Sequence, residues 1–219
     1  MLGIWNITQG DAVERLRALP DQSVDLILTD PAYDTMEEYR RVGTTTRLKD
    51  WFPTFPTNRF PALFMEFHRV LKKNSHLYVF SDTRSQISMV QCGEQAGFRY
   101  WKGLIWDKKA PGMGYHYKCR YEFILFFEKG KRRLSNLGVP DILSYRRPIG
   151  KHFPTEKPVD LLRVLVLQSS GEGDVVVDPF SGSGNVGVAA VSEGRNFVGS
   201  DIWTVAVEES IRRLEQVGV

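Results

Sequence analysis

Val175-Val176-Val177-Asp178-Pro179-Phe180-Ser181-Gly182-Ser183-Gly184 is the stretch that decides the fold. Three valines followed by Asp-Pro read as a short buried strand that ends in a turn. The glycines then open a helical pattern over Asn185–Glu193. A second strand follows over Asn196–Gly199, then Asp201 and a last helix over Thr204–Gln216. Gly182-Ser183-Gly184-Asn185-Val186-Gly187 satisfies G-x-G-x-x-G, and Asp201 stands 19 residues after Gly182. Taken alone, this is a dinucleotide fingerprint. Its physics serves nucleoside binders in general, because glycines let backbone approach a ligand and the acid accepts hydrogen bonds from ribose hydroxyls. A tight strand-to-helix turn with a capping aspartate uses the same residues.

Only 18 residues follow Asp201. One βαβ unit cannot make a stable sheet by itself, so its neighbouring strands must come from earlier in the chain. A dinucleotide fold begins with this unit and builds onward, whereas here the unit comes last. The sheet is therefore expected to be circularly permuted relative to that arrangement.

Working outward, strands and helices alternate. Ile4–Thr8 reads as a strand. Asp11 caps a helix, with Glu14 three residues on as in a capping box, and Val13, Leu16 and Leu19 on one face. Val24–Thr29 is an apolar strand that runs into Asp30-Pro31-Ala32-Tyr33. Helical spacing returns at Leu63, Phe64, Phe67, Val70 and Leu71, and Leu77–Phe80 is the next strand. A helix over Arg84–Ala96 stops at Gly97. Tyr100–Trp106 and Phe123–Phe127 are further strands, and Pro158–Leu167 is an apolar helix with proline at its start. This alternation predicts an α/β sheet, largely parallel and covered on both faces. Residues 34–61 break the pattern with Pro53, Pro56 and Pro61 among Trp51, Phe52 and Phe55. Such a long connection is either functional or disordered, and its aromatics favour a loop packed over something.

Asp30-Pro31-Ala32-Tyr33 brings a carboxylate, a ring-locked backbone and an aromatic face to the carboxyl end of a strand, where open α/β sheets bind ligands. The exocyclic amino group of a nucleobase is a poor nucleophile, because its lone pair is delocalised into the ring. Acceptors aimed at its N–H bonds stabilise the positive charge that develops on attack. Asp30 and the Pro31 carbonyl can supply them, and Tyr33 can stack on the base.

The chain has 219 residues, enough for one domain with a substantial core. An apolar fraction of 42% with 25% charged residues is ordinary for a globular protein, and no stretch approaches a membrane span. The N-terminus lacks a signal-peptide pattern. Cys92 and Cys119 fit no zinc or redox spacing, so no metal is expected and a reduced, cytoplasmic setting is the simplest reading. The net charge of +3 says little. Two basic clusters say more: Lys129, Lys131, Arg132 and Arg133, then Arg146, Arg147, Lys151 and His152. They read either as solvated loop or as phosphate contacts.

These motifs, in this order, resemble the S-adenosylmethionine-dependent DNA amino-methyltransferases, in the subgroup whose catalytic motif precedes the cofactor motif. Asp30-Pro31-Ala32-Tyr33 is similar to that family's D-P-P-Y, and Asp178 to Gly184 to its D-P-F-x-G-x-G. Pro154-Thr155-Glu156-Lys157-Pro158 is similar to H-P-T-E-K-P, and Tyr121–Gly130 to a late strand. Ala32 replaces the second proline, which frees one φ angle. Phe153 takes the place of the histidine, with His152 beside it.

The resemblance covers nearly the whole chain and implies several things. The fold is a Rossmann-like class I methyltransferase sheet, circularly permuted, mostly parallel with one antiparallel strand, in a single catalytic domain over 1–219. The cofactor is S-adenosyl-L-methionine. Its site holds Asp11 on the adenine side, Asp201 at the ribose, and Asp30, Thr155, Lys157, Asp178, Phe180, Gly182, Ser183 and Gly184. Catalysis falls to Asp30, Pro31 and Tyr33, acting on the 6-amino group of an adenine flipped out of DNA. DNA contacts fall to Lys131, Arg132, Arg133, Arg146 and Arg147 in a short target-recognition segment, 130–152, or to the 34–61 loop. Homodimers and a place in restriction–modification are further expectations of the resemblance. Cytosine's 4-amino group is the alternative target. A nicotinamide-dependent oxidoreductase, a catalytically silent DNA-binding subunit and a protein-glutamine methylator, which carries asparagine in place of Asp30, are the rivals.

Overall fold

The computed structural model describes residues 2–32, 53–112, 116–148, 153 and 156–217. In chain order the elements are β1 (Trp5–Gln9), α1 (Ala12–Arg17), β2 (Val24–Thr29), α2 (Phe60–Val70), β3 (Leu71–Ser81), α3 (Ser85–Gln95), β4 (Arg99–Asp107), β5 (Tyr121–Lys129), β6 (Ile142–Ser144), α4 (Val159–Ser169), β7 (Val175–Asp178), α5 (Asn185–Ser192), β8 (Asn196–Asp201) and α6 (Thr204–Glu215). A short 3-10 turn, Thr57–Arg59, leads into α2.

The eight strands form one sheet in the order β1-β8-β7-β2-β3-β5-β4-β6. The late pair β7–β8 sits between β1 and β2, two strands from the start of the chain. This is the permuted order that the isolated terminal unit required. β5 runs antiparallel to both neighbours, β3 and β4, and every other pairing is parallel. The expected single antiparallel strand is therefore β5.

Side chains alternate across the sheet and build two cores. On one face Val24, Ile27, Leu77, Val79, Leu125 and Phe127 pack under α1, α2 and α3. On the other, Leu26, Leu28, Tyr78, Phe80, Ile124 and Val176 pack under α4, α5 and α6. All six residues of β2 are buried, as expected of a central parallel strand with helices on both sides.

Two strands differ from the sequence expectation. β3 begins at Leu71, not Leu77, and its first residues are polar: Lys72, Lys73 and Asn74. The chain enters it straight from α2, with a register shift between Val24 and Leu26 on β2 and Asn74 at φ 62°. Lys72 reaches back to Asp25 at 2.8 Å, so charge pairing rather than apolar alternation holds this part. The three-residue β6 lies inside the segment expected to be irregular, and only its Leu143 is buried.

Candidate active site

Because seven strands point one way, their carboxyl ends share one edge of the sheet, and Tyr121, at the start of β5, lies there too. Asp30 follows β2 directly, and Asp178 closes β7, its hydrogen-bonded neighbour. Thr29 Oγ1 donates to Asp178 Oδ1 at 2.7 Å, and the Phe180 amide donates to the same oxygen at 3.0 Å. One buried carboxylate thus fixes the end of one strand to the turn after the next. Asp178 is 2% exposed, and burial pushes its carboxyl up to about 7 despite these donors.

The glycine loop follows. Gly182 (φ 50°) and Gly184 (φ 78°) are left-handed. A Cβ on Gly184 would stand 2.9 Å from the Ser210 Cα of α6, and one on Gly187 would stand 2.6 Å from the Phe197 ring. These glycines let α5 pack tightly on α6 and β8. Asp201 accepts from the Gly182 amide and from the Trp203 amide, each at 2.9 Å. Its carboxylate is therefore oriented into the loop, and burial raises its pKa against those two donors.

Asp30, Lys157, Phe153, Phe180, Ser183, Asn185, Asp201 and Trp203 line one cleft. Lys157 makes an ion pair with Asp30 Oδ2 and lies 3.3 Å from Glu122 Oε2. Asn185, first residue of α5, donates to Glu156 at 2.9 Å and to the Lys157 carbonyl at 2.6 Å. Its own Oδ1 is buried and accepts no hydrogen bond among the described residues.

Asp11 stands at the far wall. Its Oδ1 caps α1 through the Val13 and Glu14 amides, and Arg59 grips both oxygens at 2.7 and 2.8 Å. The Arg59 hydrogen bonds, more than the cap, hold this carboxyl below its usual range. Glu14 does not complete a reciprocal capping box; it pairs with Arg17 at 2.7 Å. The described end of the long 34–61 connection packs over the cleft, as its aromatics suggested. The Phe55 amide donates to the Ala32 carbonyl at 2.6 Å, and Phe55 meets Phe180 edge-on at 5.2 Å.

Tyr33, Thr155, Lys151, His152 and most of the 34–61 loop lie outside the described residues. Arg59, Phe153, Asn185 and Trp203 line the same cleft and were not singled out as site residues by the sequence. Asn185 stands directly after the glycine pair and was legible there; the others reach the cleft only through tertiary packing.

The two basic clusters that the sequence puts in one segment, 130–152, part company in the structure. Arg146 and Arg147 follow β6, a strand parallel to β4, and so stand on the Asp30 edge. Lys131, Arg132 and Arg133 follow the antiparallel β5 and stand at the opposite edge, roughly 25–30 Å away for a nine-residue strand. Arg132 there pairs with Asp174 at 3.5 Å, and Lys129 donates to the His68 and Leu71 carbonyls at 2.6 Å.

This architecture is that of the class I methyltransferases. The family model described as DNA methylase, covering N6 and N4 amino-methyltransferases, matches residues 24–147 and 138–212. The chain belongs to that family of S-adenosylmethionine-dependent DNA amino-methyltransferases. It is similar to the DNA adenine methyltransferase YhdJ of Escherichia coli K12, 27% identical over 248 residues that cover 95% of this chain and 82% of the relative. Its fold matches the M1.HpyAVI–SAM complex at a TM-score of 0.75, with 20% identity over 96% of this chain and 99% of the other. It also matches the cytosine-N4-specific PvuII DNA methyltransferase at 0.75, with 17% identity over 100% and 89%.

Proposed function

We propose that this protein transfers the methyl group of S-adenosylmethionine to the 6-amino group of an adenine flipped out of DNA. The observation that carries the reading is the join between β2 and β7. It seats the Asp30 carboxylate in the same cleft as the glycine loop and Asp201.

The residues fit the cofactor. Asp201 faces the loop where ribose hydroxyls bind, and the orphaned Asn185 Oδ1 is an acceptor suited to an ammonium or to a water bound to one. Trp203 and Phe153, 5.3 Å apart, offer apolar walls. Thr155 and Lys157 belong to the methionine end in this reading, and Asp11, engaged by Arg59, to the adenine end. Asp178 acts from beneath by holding the turn, with Phe180, Gly182, Ser183 and Gly184 forming the floor.

When bound, the cofactor supplies an electrophilic methyl group. Asp30 and the Pro31 carbonyl accept hydrogen bonds from the target amino group and stabilise the positive charge that grows on nitrogen, and the Asp30 carboxylate takes the proton it sheds. Tyr33 stacks on the extruded base. No covalent enzyme intermediate is required. Arg146 and Arg147 contact phosphates on this edge.

Adenine is favoured by the aspartate that opens Asp30-Pro31-Ala32-Tyr33 and by the adenine methyltransferase relative. Cytosine's 4-amino group remains the second reading, because the same two acceptors suit it and a cytosine-N4 enzyme shares the fold. Labelled methyl transfer to plasmid DNA, followed by digestion to nucleosides, tests both: N6-methyl-2′-deoxyadenosine is expected, and N4-methyl-2′-deoxycytidine would overturn the adenine reading.

A further inference from the structure

Beyond Lys157, away from the cofactor cleft, the charges continue. Glu122 Oε2 lies 3.3 Å from Lys157 Nζ, and Glu122 Oε1 lies 2.5 Å from Lys108 Nζ. Asp30, Lys157, Glu122 and Lys108 therefore alternate in sign along one chain of contacts. Both ammonium groups are screened from water, with side-chain exposures of 9% for Lys157 and 6% for Lys108. Each also sits 5.1 Å from the centre of an aromatic ring, Phe80 for Lys157 and Trp106 for Lys108. Glu122 reaches this place because β5 is antiparallel: its first residues, not its last, arrive at the carboxyl edge.

A buried ammonium facing a single carboxylate concentrates its field there and weakens that carboxylate as an acceptor for anything else. A second carboxylate divides the field. We infer that Glu122 is a positioning residue for Asp30: by sharing Lys157, and being balanced in turn by Lys108, it lets Lys157 fix the Asp30 carboxylate without quenching it as an acceptor. The inference deepens the proposed function and rests on it for its catalytic consequence. The local electrostatics agree with the geometry. Burial opposes the Glu122 charge, yet Lys157 and Lys108 together hold its carboxyl below the usual range. Burial likewise opposes the Lys157 charge, and Asp30 and Glu122 more than offset it.

The test is a charge-balance cycle. Among these four described groups, Glu122→Gln leaves two ammonium groups for one carboxylate; the double variant K108M/E122Q restores their mutual neutrality. Glu122→Gln is expected to lower kcat at least about tenfold with cofactor Kd changed less than about threefold, and the double variant to recover most of that loss. A kcat equal to wild type in Glu122→Gln, or a folded double variant no faster than the single, overturns the inference. If Glu122→Gln does not fold, the double variant is read alone. There kcat within about threefold of wild type supports the balance, and a hundredfold loss with intact cofactor binding overturns it. A second readout needs no turnover: the Asp30 carboxyl, followed by carbon NMR, titrates at lower pH in Glu122→Gln than in wild type and returns in the double variant. An unchanged Asp30 titration sinks the inference. Wild-type protein that binds cofactor but methylates no DNA sinks the proposed function instead, and the titration still decides Glu122.

Discussion

The two edges of the sheet use the same residue types for opposite ends. At the carboxyl edge, Asp30, Lys157 and Asp201 line an open cleft, and Asn185 Oδ1 is left without a hydrogen bond among the described residues. At the amino edge, polar groups are closed on one another. His76 Nδ1 lies 2.7 Å from Ser169 Oγ, its Nε2 lies 3.1 Å from the Arg132 carbonyl, and the Tyr78 hydroxyl meets the same Ser169 Oγ at 2.8 Å. Ser169, His76 and nearby Glu128 superficially combine a hydroxyl, an imidazole and an acid. Ser169 and His76 are at most 1% exposed, so no substrate reaches them, and the cluster pins β3 to α4. A list of reactive residue types therefore does not separate site from scaffold; access and satisfied partners do.

The comparison breaks most sharply at Asp30. Asp30→Ala is expected to lower methyl transfer by about a thousandfold in protein that still folds, with a lower melting temperature because buried Lys157 loses an ion-pair partner. A folded variant with more than a tenth of the activity would remove this carboxylate from the chemistry.

The edges also respond oppositely to pH. Asp178 holds its proton up to about 7 when folded and only to the ordinary carboxyl value of 3.8 when unfolded, so its contribution to stability falls as pH rises from about 4 to 7. His76 is depressed to about 4 by burial, so its contribution is present above the unfolded value of 6.5 and lost as pH falls toward 4. Asp178→Asn keeps an oxygen for Thr29 and Phe180 while removing the ionisation. Its melting temperature relative to wild type is expected to rise between pH 5 and 8, by an amount equivalent to at most about 3 kcal/mol. A difference that stays flat across this range would show Asp178 ionised at ordinary acidity.

Ser169→Ala strands two buried groups at the closed edge. A loss of about 1–3 kcal/mol in chemical denaturation is expected, with kcat unchanged. A kcat effect without a stability effect would make the cluster functional. The smallest effect is in DNA binding. Replacing Arg146 and Arg147 by alanine is expected to reduce the slope of log affinity against log salt by about 2, whereas replacing Lys131 and Arg133 leaves it unchanged. Equal effects from both pairs would place DNA on both edges.

Much of this was legible beforehand because the local signals agree. The valines before Asp178, the glycines after it and Asp201 at the end of the next strand fixed a βαβ unit with little ambiguity. Residues that join the site through packing carried no such signal. Arg59 looks like one basic residue in a proline-rich stretch, and only its fork onto Asp11 makes it a cleft residue. Glu122 lies in an apolar strand sequence that gives no hint of two lysines. The position of Lys131 to Arg133 was illegible for the complementary reason: charge is visible in sequence, but strand direction is not.

Sequence by itself therefore determined the alternation of elements, the strand-end motifs and the family. These depend on side-chain periodicity and on turn chemistry, which are local. Only the tertiary structure decided which edge each loop occupies, which basic cluster stands beside Asp30, and which charges share Lys157. Those follow from the pairing of distant strands and from the reversed direction of β5, because hydrogen bonding between strands, not any property of the residues in between, sets where a loop emerges.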